Sequence, residues 1–121
     1  LHAAALRGHE SFVLLLLQEG ADVSPKSTDG ATPLLQAAHQ GREAVVRLLL
    51  QHGAEASAKN NHGISPLHAA SLHNHVEVAR ALLQHGANLS ATTNSRGATP
   101  LHAAASQGHG AVARLLFEHG A

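Results

Sequence analysis

The stretch "LHAASLHNH", residues 67–75, places His68, His73 and His75 within eight positions, and 12 of the 121 residues are histidine. Imidazoles at this density could ligate a transition metal or shuttle protons. Spacing argues against the metal. Two ligands of one ion on a helix sit three or four residues apart. His68 and His73 are five apart, about 140° around a helix axis, and His68 and His75 would lie roughly 10 Å apart along it. Zinc holds its donors at about 2.0–2.1 Å and commonly recruits a cysteine or a carboxylate; the chain has no cysteine. For catalysis, a Ser-His-carboxylate set such as Ser71, His75 and Glu77 can be drawn from any histidine-rich chain. No nucleophile elbow, phosphate loop or paired-carboxylate cleft accompanies it. These residues therefore read as neither catalytic nor cofactor-binding nor metal-binding.

The histidines instead keep time with a repeat. "LLQHGA" occurs at Leu49–Ala54 and again at Leu82–Ala87, an offset of 33. Thr32-Pro33-Leu34, Ser65-Pro66-Leu67 and Thr99-Pro100-Leu101 are spaced by 33 and then 34 residues, and Leu1-His2-Ala3-Ala4 falls where a fourth copy would begin. Gly20, Gly53, Gly86 and Gly120 share one phase, and Gly30, Gly63 and Gly97 another. The one extra residue lies within "ANLSATTNSRG", between Gly86 and Gly97, where a surface loop tolerates it.

Each unit reads mechanically. Thr32 suits an N-cap, and Pro33 at the first helical position gives up only an N–H that would be unpaired anyway. "LLQAAHQ" then makes about two helical turns. Gly41 ends them in the left-handed backbone, as Gly8 and Gly108 do; Asn74 takes that position in the third unit. A second helix, Glu43 to His52, carries Val45, Leu48 and Leu49 at helical spacing and stops at Gly53. "EASAKNNHG" reads as an extended, hairpin-like loop. Helices this short are marginal alone, so they must stack on their neighbours.

By phrase, period and glycine phasing the chain resembles the ankyrin repeat family over essentially its whole length. "ATPLLQAAHQGREAVVRLLLQHGAEASAKNNHG", "ISPLHAASLHNHVEVARALLQHGANLSATTNSRG" and "ATPLHAAASQGHGAVARLLFEHGA" carry the resemblance, with a headless copy in front. The implied fold is an all-α ankyrin-repeat solenoid of about four helix-turn-helix units joined by β-hairpin-like loops. It forms a single domain, 1–121, with repeats at 1–30 (lacking its N-terminal hairpin), 31–63, 64–97 and 98–121 (truncated). Apolar residues at internal-type positions of the last helix, Val112, Leu115, Leu116 and Phe117, suggest a monomeric segment of a longer array.

The resemblance implies a structural role for His2, His68 and His102, which follow leucine in "PLH" and would bond the capping Thr or Ser and nearby backbone. Leu35 interrupts that set. His9, His75 and His109, with Arg42, follow the turn between helices. His52, His85 and His119 close the second helix, where positive charge suits the carbonyl end of the dipole. His39, His62 and His73 are left over. Burial of His2, His68 and His102 would hold them neutral and lower their pKa values, making the fold sensitive to acid.

In ankyrin proteins the usual contact surface combines loop tips with the exposed side of each first helix. Carried over by phase, it comprises Leu6, Arg7, Thr28, Asp29, Ala31, His39 and Gln40; then Asn61, His62, Ile64, Leu72 and His73; then Ser95, Arg96, Ala98, Ser106 and Gln107. Ile64, Leu72, His73 and His39 form the best candidate hot spot. An aromatic cage for methylated lysine is excluded, because the only aromatics, Phe12 and Phe117, fall on separate second helices.

Eight Lys plus Arg balance eight Asp plus Glu, which argues against nucleic acid as partner. The longest apolar run, Phe12–Leu17, is far short of the roughly 18 residues of a membrane span, and no signal peptide is visible. The expected function is a non-enzymatic protein-protein interaction module with a protein partner and no cofactor. It would sit within a larger intracellular protein, cytoplasmic with the nucleus left open. The alternative is an architectural spacer or intramolecular brace.

Overall fold

The computed structural model describes all residues, Leu1–Ala121. It contains eight α-helices and no strand: α1 (His2–Arg7), α2 (Glu10–Gln18), α3 (Pro33–His39), α4 (Glu43–Gln51), α5 (Pro66–Leu72), α6 (Val76–Gln84), α7 (Pro100–Ser106) and α8 (Gly110–Glu118). The first helices α1, α3, α5 and α7 pack on one another in chain order, and the second helices α2, α4, α6 and α8 do the same. No helix is long and apolar enough to cross a membrane.

Local chemistry sets the boundaries. Thr32, Ser65 and Thr99 hold extended backbone at the N-caps, where their hydroxyls accept the N–H of Leu35, His68 and His102. Each such cap stabilises a helix start by about 1 kcal/mol. The chain leaves α3 through Gly41, at φ 71°, and leaves α5 through Asn74, the one non-glycine residue with positive φ, at 58°.

The segments between repeats differ from the hairpin-like expectation, since no strand forms in them. Each closes on itself through a backbone bond, Ser27 to Ala31, Asn60 to Ile64 and Thr93 to Ala98. Successive tips are then tied by Asn61 N–H to Asp29 and Asn94 N–H to His62, at 2.9 and 3.0 Å. One rung per tip gives a ladder of turns rather than a sheet.

The core is one aliphatic seam threading all units. Val13, Val46, Leu49, Leu82 and Leu116 are fully buried along the second helices. Between the first helices the buried residues are largely alanines, Ala5, Ala37, Ala38, Ala70 and Ala104, whose small side chains let the backbones approach closely. Where Leu35 replaces the histidine of the other units, it packs with Ala31 and Ala69, and Ile64 lies against them. No buried side-chain polar atom lacks a partner, so hydrogen bonds offset the burial of Thr32, Ser65, His68 and Ser71.

The stack's outer faces remain apolar. Phe12 is 53% exposed, although Val45, Val78 and Val112, which share its phase, are buried. Phe117 is 60% exposed, while Leu17 and Leu50 at its phase are buried.

Two backbone substitutions test this architecture by urea denaturation. Gly41→Ala and Gly53→Ala both force a β-carbon into the left-handed region, at about 1–2 kcal/mol each. A β-carbon at Gly41 would also lie 2.7 Å from the His75 ring, whereas nothing lies within 4 Å at Gly53. Gly41→Ala should therefore cost about 1 kcal/mol more, the worth of the displaced His75 hydrogen bond; equal losses would refute the packing argument. Asn74→Gly should raise stability by up to about 1 kcal/mol.

Candidate functional site

Nine of the 12 histidines belong to the three repeating positions, and eight of those nine have structural bonds. Ser65 accepts the His68 N–H on its hydroxyl while the Ser65 backbone N–H donates to His68 Nδ1 at 3.2 Å. This is a capping box with imidazole in the place of the usual Glu or Gln. Because Nδ1 accepts, the proton sits on Nε2, which donates to the Ala98 carbonyl of the next unit at 2.7 Å. His2 Nε2 makes the equivalent bond to Ala31 at 2.9 Å, and His102 Nδ1 accepts from Thr99 N–H at 3.0 Å.

At the turns, His75 Nε2–H donates to the His39 carbonyl, His109 Nε2–H to that of Leu72, and Arg42 Nε–H to that of Leu6, at 3.0–3.1 Å. Each reaches back one unit to satisfy an orphan carbonyl at the end of the preceding first helix. His52, His85 and His119 turn Nδ1 onto the carbonyls of Leu48, Ala81 and Leu115 at 2.9–3.0 Å.

The expectation of three buried histidines holds for one. His68 is 4% exposed, whereas His2 is half-buried and His102 exposed. The difference is one of cover, since the Ala98 segment lies over His68 and nothing in this chain plays that part for His102. Burial pushes the His68 pKa down, the Ala98 carbonyl pulls it up, and the Lys59 charge adds to the lowering.

Among the remaining histidines, His39 and His73 face each other across two units. Their Nε2 atoms are 3.0 Å apart and their rings meet edge to face, with centroids 4.3 Å apart. The Gln40 amide donates to His39 Nδ1 at 3.1 Å. That assigns the His39 proton to Nε2, whence it is donated to the His73 Nε2 lone pair. His73 is held below the ordinary imidazole pKa by partial burial first, then by His39, His75 and His109. No group of three or more His, Cys, Asp or Glu is placed to hold a metal ion.

Beside this pair a groove of about 660 Å³ runs between α5, α7 and the 93–98 segment. Ile64, Ala69, Leu72, Ala98 and Ala103 make its apolar lining, and His39, Arg96 and Ser106 supply polar groups. A second groove of about 320 Å³ continues toward α1, sharing His39, Ile64 and Ala69 and adding Leu6, Asp29 and Leu35. Of the candidate contact residues, His39, Ile64, Leu72, Arg96, Ala98 and Ser106 thus converge on one groove, with His73 held against His39, and Leu6, Asp29 and Ala31 in the adjoining one.

The others serve elsewhere. Asn61 Nδ2 donates to the Thr28 carbonyl at 3.4 Å, making both residues part of the tip ladder, and the His62 carbonyl accepts from Asn94. Arg7 ends α1, Gln107 caps α7, Gln40 orients His39, and Ser95 is an exposed tip residue. Sequence reasoning missed Asn94, whose Nδ2 donates to the Asn61 carbonyl at 2.9 Å. Its offset of 33 from Asn61 was the available signal. Gly63 permits that approach, because a β-carbon there would sit 2.8 Å from the Asn94 nitrogen.

The His68 geometry predicts the direction of pH dependence. Its folded pKa lies below the unfolded value of about 6.5, so its contribution is complete above that pH and is lost as pH falls from there toward the folded value. The denaturation midpoint should drop between about pH 7.5 and pH 5.5. The drop should shrink in His68→Leu, a side chain the fold already accepts as Leu35. An unchanged drop in that variant would show that the acid sensitivity arises elsewhere.

The profile of the family described as "Ankyrin repeats (3 copies)" matches residues 1–93 and, in an overlapping second match, 58–121. No curated protein matches the chain. Period, paired helices, Thr/Ser-Pro caps and profile agree, and the chain belongs to the ankyrin repeat family.

Proposed function

We propose that this chain is a protein-binding module that presents loop tips and first-helix side chains to a protein partner without doing chemistry on it. Ankyrin repeats are generally protein-interaction modules. The observation that carries the reading here is the aliphatic groove of about 660 Å³ beside Leu72, which is 39% exposed although large and apolar. A well-packed stack has no need of an open apolar recess at that place, and such surfaces commonly mark contact sites. Eight of the 12 histidines are engaged in caps, turns and helix ends, a structural use of imidazole that accords with this reading.

In this reading residues 1–121 act as one domain, a monomeric solenoid segment inside a larger intracellular protein. Nucleic acid and membrane are not its targets. A second reading, as an architectural spacer or brace, is favoured by the exposed apolar side chains of Phe12 and Phe117, away from the groove.

The two readings part under site-specific photo-crosslinking in cells. A benzophenone side chain introduced at Leu72 should trap a distinct protein, while the same probe at Arg114, on the exposed side of α8, should not. Trapping from both positions alike, or only within the probe's own chain, would discard the binding reading in favour of the spacer.

A further inference from the structure

The groove carries information about what fills it. None of its 12 lining residues is a carboxylate, and one, Arg96, is a permanent cation. The only ion pairs in the molecule, Arg47–Glu43 at 3.4 Å and Arg80–Glu77 at 3.5 Å, lie on second helices. Arg96 is exposed and unpartnered at the wall of an apolar recess.

Charge is also divided across the fold. Seven of the eight carboxylates, all but Asp29, belong to second helices or to the segments around their ends. Asp29 is itself engaged, by the Ser27 hydroxyl and the Ala31 N–H. A chain of zero formal charge therefore lines the groove with Arg96 and three imidazoles, His39, His68 and His102, and with no carboxylate. Such a lining attracts and orients acidic partners. Nucleic acid is a poor occupant, because phosphate backbones call for clustered Lys and Arg and the groove has Arg96 alone.

We propose, building on the protein-binding reading, that the groove between α5, α7 and residues 93–98 receives an extended acidic segment of a partner protein. An aliphatic side chain rests on Ile64, Leu72 and Ala103, and a neighbouring aspartate or glutamate pairs with the Arg96 guanidinium. Area alone does not select this occupant; the unpaired guanidinium beside an apolar floor does, since it offers a fork for a carboxylate.

The imidazoles make the contact proton-dependent. His39 from α3 and His73 at the end of α5 share one proton between their facing nitrogens, while His75 and His109, at the starts of α6 and α8, lie close enough to repel a further one. His68 and His102 also line the groove, each with Nδ1 accepting from its cap residue. A carboxylate bound nearby offsets that repulsion, so binding takes up protons and tightens as pH falls.

Fluorescence anisotropy with a labelled heptapeptide alternating leucine and aspartate tests the proposal, with the leucine–asparagine and leucine–lysine peptides as comparators. The aspartate peptide should bind about fivefold tighter than the asparagine one, the ratio expected of a partly exposed ion pair. That ratio should grow between about pH 7.5 and pH 6, where imidazole titrates. Arg96→Gln should remove the preference while leaving weak asparagine-peptide binding in place, and Leu72→Asp should remove both. A single-stranded oligonucleotide should not compete.

Equal affinity for aspartate and asparagine peptides, a preference that survives Arg96→Gln, or no binding of the aspartate peptide would overturn the acidic-partner inference. The broader reading would stand in those cases if the Leu72 photoprobe still trapped a protein, and would fail with it if the probe trapped none. Circular dichroism of each variant separates lost binding from lost fold.

Discussion

Everything in this molecule depends on the contact between one unit and the next. The first helices have six or seven residues and the second helices nine, too few to persist alone in water. Their stability is borrowed from the aliphatic seam of Val, Leu and Ala that runs without interruption through all four units. The polar network is secondary but not idle. Carbonyls that each first helix leaves unpaired are met by a side chain from the following unit, Arg42, His75 or His109. The seam supplies most of the free energy, and the side-chain bonds fix the register in which it closes.

This division of labour explains the abundance of histidine. Imidazole can accept at one nitrogen and donate at the other, and both are needed where a cap N–H and a carbonyl of the next unit must be met by one side chain. His68 does this between Ser65 and Ala98. Glutamate, the usual partner in a capping box, accepts only when ionised and could not also donate across the joint. The density that first suggests a metal centre is thus the repetition of a bifunctional hydrogen-bonding part.

Features governed by short-range chemistry were legible in the sequence. Caps at Thr32, Ser65 and Thr99 and left-handed exits at Gly41 and Asn74 follow from a few adjacent residues, and the capping role of His68 and His102 was implied by the family resemblance. What was not legible arises between units. His39 and His73 could be grouped in one candidate cluster, but their direct Nε2 contact could not be read, since His73 is 34 residues from His39 and phase aligns it with Gln40 instead. His68 and His102 sit in the same phrase, yet only His68 is covered, a property of what lies above and not of the phrase. Phase placed Arg96 on the contact surface as a tip residue, but its position in a groove wall depends on the path of the one segment that carries an insertion. The hairpin-like reading of the loops overstated their regularity, because each tip forms a single rung.

The leucine at position 35 has a bearing on mechanics. Where the first and third units reach the next one through an imidazole Nε2 bonded to its backbone, the second places Leu35 in aliphatic contact with Ala31, Ala69 and Ile64. The spring constant of the array is therefore uneven along its axis. A mildly acidic compartment would soften the third-to-fourth joint at His68, the one that forms the groove wall, whereas the Leu35 contact across the second-to-third joint contains no titrating group.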